Sequence, residues 1–594
     1  MLINMISTKI SYNKFLYCLA LSVAAALTAF PVLVFNGDGW YPSIDFYKWV
    51  LTFSIIAYGA GTGSFMLLSG RANIQMTWIE LAWLAITLLL TIQLFILPLR
   101  SFHEWLRNAY FFTALGGAVF ILRNLPIDKA LPGILRVITV TGGLSTLFGF
   151  IQNLTPDLKL PFILDVKGAP DRFLGNTSLD NLLGAYLALA ILAGAWLLLN
   201  TKDGNKSALP IKVFDFLLLT FNCAGIWRTG TRSALIACVS GIVVLLMLFR
   251  AQPGFFKKCL KTIAIITILA ISTVVIYPRI LQVERRDMSK FFSAEVLSAN
   301  NEGRWSIWLT SLEMIRSAPL LGVGIGNYKW NYLDAMAVFR EKYHLPVRYT
   351  LWAHNEYLQW IAETGAIGGI LFFSLIIYCI SICLKDMRVG NNEKKPFLAW
   401  SIAALTVLMI DSCFSRPFHH VDTAFTLSLV LAMISRVSAV PVKLTPKIRF
   451  LVCGIILCIS FSGIVLFSQA FNSHAYLGKY FYNPSYAAFS PFDETKNNKY
   501  PILLEDVYLH QTAREYYNRA IINIGDTEQF VQDAIRLLTR HFNTQPGYEG
   551  LNRLLLLYQK SGNTEEARNY FKYYPPEERE KFLAGLFDGQ YMTK

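Results

Sequence analysis

Charge is scarce in this chain of 594 residues: Asp, Glu, Lys and Arg together supply 16% of it, against 54% hydrophobic and 14% aromatic residues. A soluble globular protein carries about 25% charged residues, so this balance excludes an ordinary water-soluble enzyme. Metal motifs are missing as well. The sequence holds no His-Glu-x-x-His and no Asp-x-Asp, and none of its nine cysteines forms a Cys-x-x-Cys pair. All nine sit in or beside apolar stretches, which makes them lipid-facing or packing thiols and argues against a disulfide framework or a zinc site. A net charge of +15 suggests nucleic acid at first, yet the part after residue 469 carries fourteen basic and fifteen acidic residues. The excess therefore lies in the apolar part, and no nucleic-acid surface is implied.

What is present is long hydrophobic runs. A bilayer core needs roughly 20 apolar residues per helix, and thirteen such stretches, give or take one, run from 15–35 to 450–467, with 259–277 the ninth. The first is too long for the core of a secretory signal and is read as an anchor. With the N-terminus inside, the cytoplasmic connections hold twenty Lys and Arg and the short opposite connections nine. That asymmetry orients a multi-pass protein in a bacterial inner membrane, and the cytoplasmic excess attracts anionic membrane lipids. It places the 153–181 loop, the 278–365 loop and everything after 468 outside the cytoplasm. The expected fold is all-α: a transmembrane domain over 1–468, a linker or docking segment over 469–500, and a soluble periplasmic helical tail over 501–594. Around 554–568 the tail partly resembles a tetratricopeptide helix-turn-helix, too little for a solenoid.

The 278–365 loop is too long for a mere connection. Trp305, Trp308, Leu309, Leu312 and Ile315 share one helical face, which predicts an interfacial helix with Arg304 at its start. Next, Gly322, Gly324 and Gly326 form a glycine-spaced turn before Asn327. It follows Pro319 rather than a strand, so it is no dinucleotide fingerprint; it lets backbone approach a ligand or a neighbouring helix. Then comes Trp352-Ala353-His354-Asn355-Glu356, with Gln359 and Glu363 beyond. Asn355, Glu356, Gln359 and Glu363 fall within about 100° of one helix, and His354 stands at the helix entrance. Polar residues in such numbers beside a membrane span are functional by default. Histidine titrates near neutrality and accepts protons. Arg172 in the 153–181 loop and Arg232 in the turn Arg228-Thr229-Gly230-Thr231-Arg232-Ser233 add guanidinium groups suited to phosphate oxygens. Three loops carrying Arg around one His suggest a diphosphate leaving group.

Taken together these residues resemble the bacterial O-antigen ligase, O-antigen polymerase and protein O-oligosaccharyltransferase superfamily. The likeness spans about 172–373: Arg172 with Gly175-Asn176, Gly230-Thr231-Arg232-Ser233-Ala234, Arg304 with its Trp-rich helix, Pro319 and the glycine turn to Asn327, and His354-Asn355 followed by Glu363 and Gly365. The resemblance implies transfer of a glycan from undecaprenyl diphosphate to an acceptor hydroxyl at the periplasmic face, without metal or other cofactor. His354 matches the family's proposed base, Arg172 and Arg304 its diphosphate binders, and Arg232 is a further carry-over. Glu363 or Glu356 orients the site. The acceptor is lipid A core, a growing glycan or protein Ser/Thr. A polysaccharide polymerase is the alternative within this class, and a transporter or flippase of lipid-linked sugars the alternative outside it. A further alternative is a sensor or scaffold built on the tail. His419 and His420, in the turn at 414–423, are read as either acceptor-site or interfacial residues.

Overall fold

A computed structural model of the chain describes residues 12–34, 41–68, 74–155, 173–177, 179–200, 209–249, 294–343, 349–389, 393–442, 445–482, 505–522 and 527–592. Helices dominate these residues; their one extended pairing is the isolated bridge between Met76 and Val442. In chain order the helices are α1 (Tyr12–Leu33), α2 (Tyr41–Leu68), α3 (Trp78–Ile96), α4 (Phe102–Asn124), α5 (Ile127–Leu154), α6 (Asp180–Asn200), α7 (Leu209–Thr229) and α8 (Arg232–Phe249). They continue with α9 (Ala294–Ser317), α10 (Tyr328–Tyr343), α11 (Glu356–Val389), α12 (Lys395–Asp411), α13 (Val421–Val437) and α14 (Pro446–Tyr482). The C-terminal helices are α15 (Glu505–Ile522), α16 (Thr527–Thr544), α17 (Tyr548–Ser561), α18 (Thr564–Arg568) and α19 (Pro576–Leu583).

Among the described residues nine helices are long and apolar enough to cross a membrane: α1, α3 to α8, α11 and α14. A helix satisfies its own backbone polar groups, so apolar runs of this length fold this way in lipid. The apolar stretches at 47–68, 397–413 and 424–440 lie largely on α2, α12 and α13. The stretch at 259–277 lies outside the described residues.

The chain divides into two compact units that do not follow sequence order. The first comprises Met1–Ala85, Phe111–Phe291 and Leu371–Phe471. Its central helix is α6, which packs on α5, α7, α8, α12 and α13. Its apolar window is 94% buried, as a helix hydrophobic on every face requires. Polar pins fasten the helices to one another. Arg136 of α5 makes two 2.8 Å bonds to the carboxylate of Asp215 on α7, and Ser435 of α13 donates to Glu80 of α3 at 2.6 Å.

The second unit comprises Ile86–Tyr110, Phe292–Ile370 and Asn472–Lys594. One hydrophobic core runs through it, formed by Ile307 and Met314 of α9, Tyr328, Tyr332 and Met336 of α10, Ala353, and the C-terminal residues Leu537, Phe542, Tyr548, Leu554 and Phe582. Val531, Ala534, Leu538 and Phe542 form the buried stripe of α16, with the spacing of a helix face. Arg340 of α10 donates to Tyr573 O at 2.8 Å and to the Tyr548 hydroxyl at 3.2 Å. The Tyr573 hydroxyl in turn donates to Asp334 at 2.7 Å. Burial raises the Tyr573 phenol well above its usual range, and the Asp334 carboxylate adds to the rise.

Local structure differs from the sequence reading at Arg304 and in the 469–500 segment. The helix expected to start at Arg304 starts at Ala294, because Ala294, Glu295, Leu297 and Ala299 favour helix upstream. Arg304 therefore lies mid-helix. In the 469–500 segment α14 stays helical to Tyr482, stopping two residues before Pro484, whose ring disfavours helix at the residue ahead of it. Residues 483–504 lie outside the described residues. Where a tetratricopeptide-like unit was expected, α17 ends at Gly562 in the left-handed conformation (φ 73°). The helix that follows, α18, has only five residues.

Candidate functional site

The site in the second unit begins at a broken helix. Gly365 interrupts α11 with φ 68° and ψ −170°, which strands the carbonyls of the preceding turn and the amides of the next. The glycine turn takes them up. Val323 N donates to Ala362 O at 2.9 Å and Gly324 N to Glu363 O at 3.0 Å, while Ala366 N donates to Pro319 O at 2.8 Å and Ile367 N to Leu320 O at 3.3 Å. This reciprocal pairing of two backbone segments decides between the alternatives read from the glycines: the turn approaches a helix. A Cβ on Gly322 would lie 2.4 Å from the Glu363 carbonyl carbon, and one on Gly326 2.7 Å from Glu104 O.

Gln93 of α3 closes the seam. Fully buried, it donates to Leu321 O at 2.7 Å and Glu363 O at 2.8 Å and accepts from Ile325 N at 3.1 Å. Sequence reasoning passed it over, although one glutamine in an apolar run was the signal. Asn327, also fully buried, accepts from Ser101 N at 2.7 Å and donates to Ser101 O at 3.1 Å. The glycine turn is thus held on both sides.

The polar stripe of α11 rises from this seam. Glu356, Gln359 and Glu363 are 1%, 0% and 0% exposed, and Gln359 Nε2 donates to Glu363 Oε1 at 3.3 Å. Helical rise separates Glu356 from Glu363 by about 10 Å, so Glu356 is the carboxylate next to His354, and Glu363 lies deep against the seam. Asn355 is the helix N-cap: its Oδ1 accepts from Leu358 N at 3.0 Å, a role that side chain suits. His354 precedes it at the entrance, half-buried, with φ 48°. A non-glycine residue in the left-handed region is uncommon, and such conformations cluster at functional sites.

Two further elements meet the residues just ahead of His354. Trp308 of α9 donates from Nε1 to Ala353 O at 3.1 Å. Arg304 lies one turn earlier on the same side of α9 and is exposed. The buried stripe of α9 is Ile307, Thr310, Ser311 and Met314, while Trp305 is 61% exposed. Lys329 of α10 pairs with Glu104, which also meets Arg107. The Lys329 ammonium lies 5.4 Å from the Trp352 ring centroid, two residues from His354. This lysine went unread because it follows the glycine turn rather than standing in a basic cluster.

Of the remaining arginines, Arg232 belongs to the first unit. Arg232 is half-buried and opens α8 after Gly230 turns the chain at φ 64°. A helix N-terminus is the wrong end for a cation unless an anion sits there with it. Arg172 lies outside the described residues. Its neighbours are anchored, with Gln152 Nε2 donating to Gly175 O at 2.6 Å and Asn176 Nδ2 to Leu33 O at 2.7 Å. Buried Lys48 pairs with Asp422 and donates to Asn176 O at 3.2 Å. Of the histidine pair, His420 is buried with Arg416 Nη2 at 3.0 Å from its Nε2, and the His419 ring meets Phe112 edge-on. Among the described residues no group of three or more His, Cys, Asp or Glu is placed to hold a metal ion.

Compared with known proteins, residues 216–373 match the O-antigen ligase family. That region contains Arg232, Arg304, the glycine turn and the stripe from His354 to Glu363; Arg172 lies before it. A candidate polysaccharide ligase of Rickettsia conorii is 29% identical over 349 residues, 56% of this chain and 74% of that protein. Another, from Rickettsia felis, is 33% identical over 159 residues, 26% of this chain and 34% of its own length. The exopolysaccharide production protein ExoQ of Rhizobium meliloti is 24% identical over 120 residues, 20% of this chain and 26% of its own. With its membrane-length helices and the matched region around His354, the chain is a multi-pass membrane protein that carries an O-antigen ligase family region over residues 216–373.

Proposed function

We propose that the protein is a glycan ligase of the inner membrane that transfers a glycan from undecaprenyl diphosphate to an acceptor hydroxyl at the periplasmic face. The observation that carries this reading is the setting of His354: a half-buried residue with φ 48°, preceded by Ala353, whose carbonyl Trp308 holds, and followed two positions later by buried Glu356. In the transfer, His354 takes the proton of the attacking hydroxyl as its oxygen bonds to the anomeric carbon. The bond from that carbon to the diphosphate breaks with inversion, and the lipid diphosphate departs carrying the electron pair. Arg304, with Arg172 and Arg232, stabilises the departing charge. Glu356 orients the imidazole, and Glu363 with Gln359 keeps the stripe in place. No metal enters this scheme, in keeping with a sequence that offers neither an Asp-x-Asp nor a His-Glu-x-x-His motif.

The test is reconstituted protein with lipid-linked donor and candidate acceptors. His354→Ala is expected to remove transfer while the protein still inserts and melts normally. Wild-type activity should fall as pH drops and the base is protonated, since proton acceptance needs the neutral ring. Full transfer by His354→Ala overturns the base assignment. Ladders without an added acceptor identify a polymerase, whereas glycan on lipid A core or protein identifies a ligase.

A further inference from the structure

Beside the His354 segment, within the second unit, α10 and the C-terminal helices enclose a cavity of about 670 Å³. That is the size of a small-molecule site, about 300–1,000 Å³. Its walls carry the aromatic rings of Trp330, Tyr349 and Tyr517 and the polar groups of Gln545, Arg553 and Asp588. Tyr349 and Leu351, both in its lining, precede His354 by five and three residues. The shorter span of chain reaches at most about 11 Å.

Trp330 Nε1 and Gln545 Nε2, both buried in this lining, have no hydrogen-bond partner among the described residues. Gln545 is only 6% exposed, and its Oε1 is engaged by His541 Nε2 at 3.1 Å, so its amide donor is held fast and unused. A buried donor without a partner costs about 1–3 kcal/mol, and a ligand acceptor relieves that cost. The charges in the wall do not call for an anion. Arg553 is already paired with Glu549 at 2.6 Å and lies 5.7 Å from the Tyr517 ring centroid, and Asp588 adds a second carboxylate to the lining. A diphosphate would meet more negative than available positive charge. An acyl chain would leave the donors unmatched. The chemistry that fits is a ring with apolar C–H faces for the aromatics and hydroxyl edges for the donors and carboxylates.

We propose that this cavity is a sugar-binding subsite that holds a short uncharged oligosaccharide segment and presents the glycan to His354. The assignment rests on the glycan-ligase reading, and it gives the C-terminal helices a part in substrate choice. Gln545 donates to a sugar hydroxyl or ring oxygen, and Tyr517 stacks on a pyranose face.

The experiment uses the full chain in nanodiscs. Uncharged oligosaccharides, released by mild acid from the source strain's surface polysaccharide and free of diphosphate, are probed by saturation-transfer NMR. Wild type and His354→Ala should both show transfer to ring protons. Gln545→Leu and Tyr517→Ala should each weaken binding about tenfold, while Tyr517→Phe keeps the stack and the signal. Unchanged melting of the variants separates loss of binding from loss of fold. Oligosaccharide signals that persist in Gln545→Leu and Tyr517→Ala overturn the subsite. So does a Ser/Thr-rich peptide that binds in place of the oligosaccharide and is lost in those variants, which would make the cavity an acceptor-protein site. Full transfer by His354→Ala with the binding pattern intact sinks the base assignment and leaves the subsite standing.

Discussion

Replacing Gly322 by alanine tests the seam at its tightest point. The backbone there has φ 69°, which costs an L-residue about 1–2 kcal/mol. The new Cβ would lie 2.4 Å from the Glu363 carbonyl carbon and 2.6 Å from both Ala362 O and Glu363 O, where ordinary contacts need about 3.5–4 Å. Backbone cannot swing aside as a side chain does, so the two segments must part by roughly 1 Å. That breaks the bonds Val323 N to Ala362 O and Gly324 N to Glu363 O, each worth about 1 kcal/mol or somewhat more when its groups stay buried. The expected loss is about 3–5 kcal/mol. Two other glycines separate the contributions. Gly562 has φ 73°, and a Cβ there would meet nothing within 4 Å, so Gly562→Ala should cost only the dihedral, about 1–2 kcal/mol. Gly454 in α14 has open space and no such φ, and alanine there should be neutral or stabilising by up to about 1 kcal/mol. Thermal unfolding of the full chain in detergent ranks the three, and hydrogen exchange at the amides of Val323 and Gly324 locates the damage. A Gly322→Ala protein as stable as Gly562→Ala would refute the close-approach argument.

Gln93→Leu deletes three hydrogen bonds in the same seam and should cost about 3 kcal/mol, with faster hydrogen exchange at Ile325 as the local readout. Trp308→Phe keeps the ring but loses the bond to Ala353 O; it should destabilise by about 1 kcal/mol and lower kcat more than it raises KM, because the imidazole is less well held. Arg340→Ala removes the contacts to Tyr573 and Tyr548 at a cost of about 2 kcal/mol. Limited proteolysis should then cut the C-terminal helices faster than in the wild type.

Hydropathy made the membrane helices legible because a run of about 20 apolar residues has few other ways to satisfy its backbone. Periodicity likewise grouped Glu356, Gln359 and Glu363 and put His354 ahead of their helix. The partner of the glycine turn was not legible, since the turn meets Glu363 and Gln93 across sequence separations that no local pattern encodes. Nor was the break at Gly365, since a glycine inside a helical pattern reads as tolerable, and Gly368 and Gly369 continue the same helix unbroken. The apolar face that begins at Trp305 puts Arg304 at a helix start, yet the residues before it carry the helix back to Ala294. The tyrosines of α17 and α19's flank gave no sign that they would meet Arg340, more than two hundred positions earlier.

The shared core of the loop and the C-terminal helices also sets an order of events during synthesis. Ala362 leaves the ribosome about 225 residues before Phe587, and at about 5–20 residues per second the wait is on the order of 10–45 s. During that interval Met314, Tyr332 and Met336 lack the neighbours that will cover them. A translation product cut short before α16 has its membrane helices but an uncovered loop, a substrate for chaperones and proteases. The fold around His354 is thereby completed only when the chain has been read to its far helices.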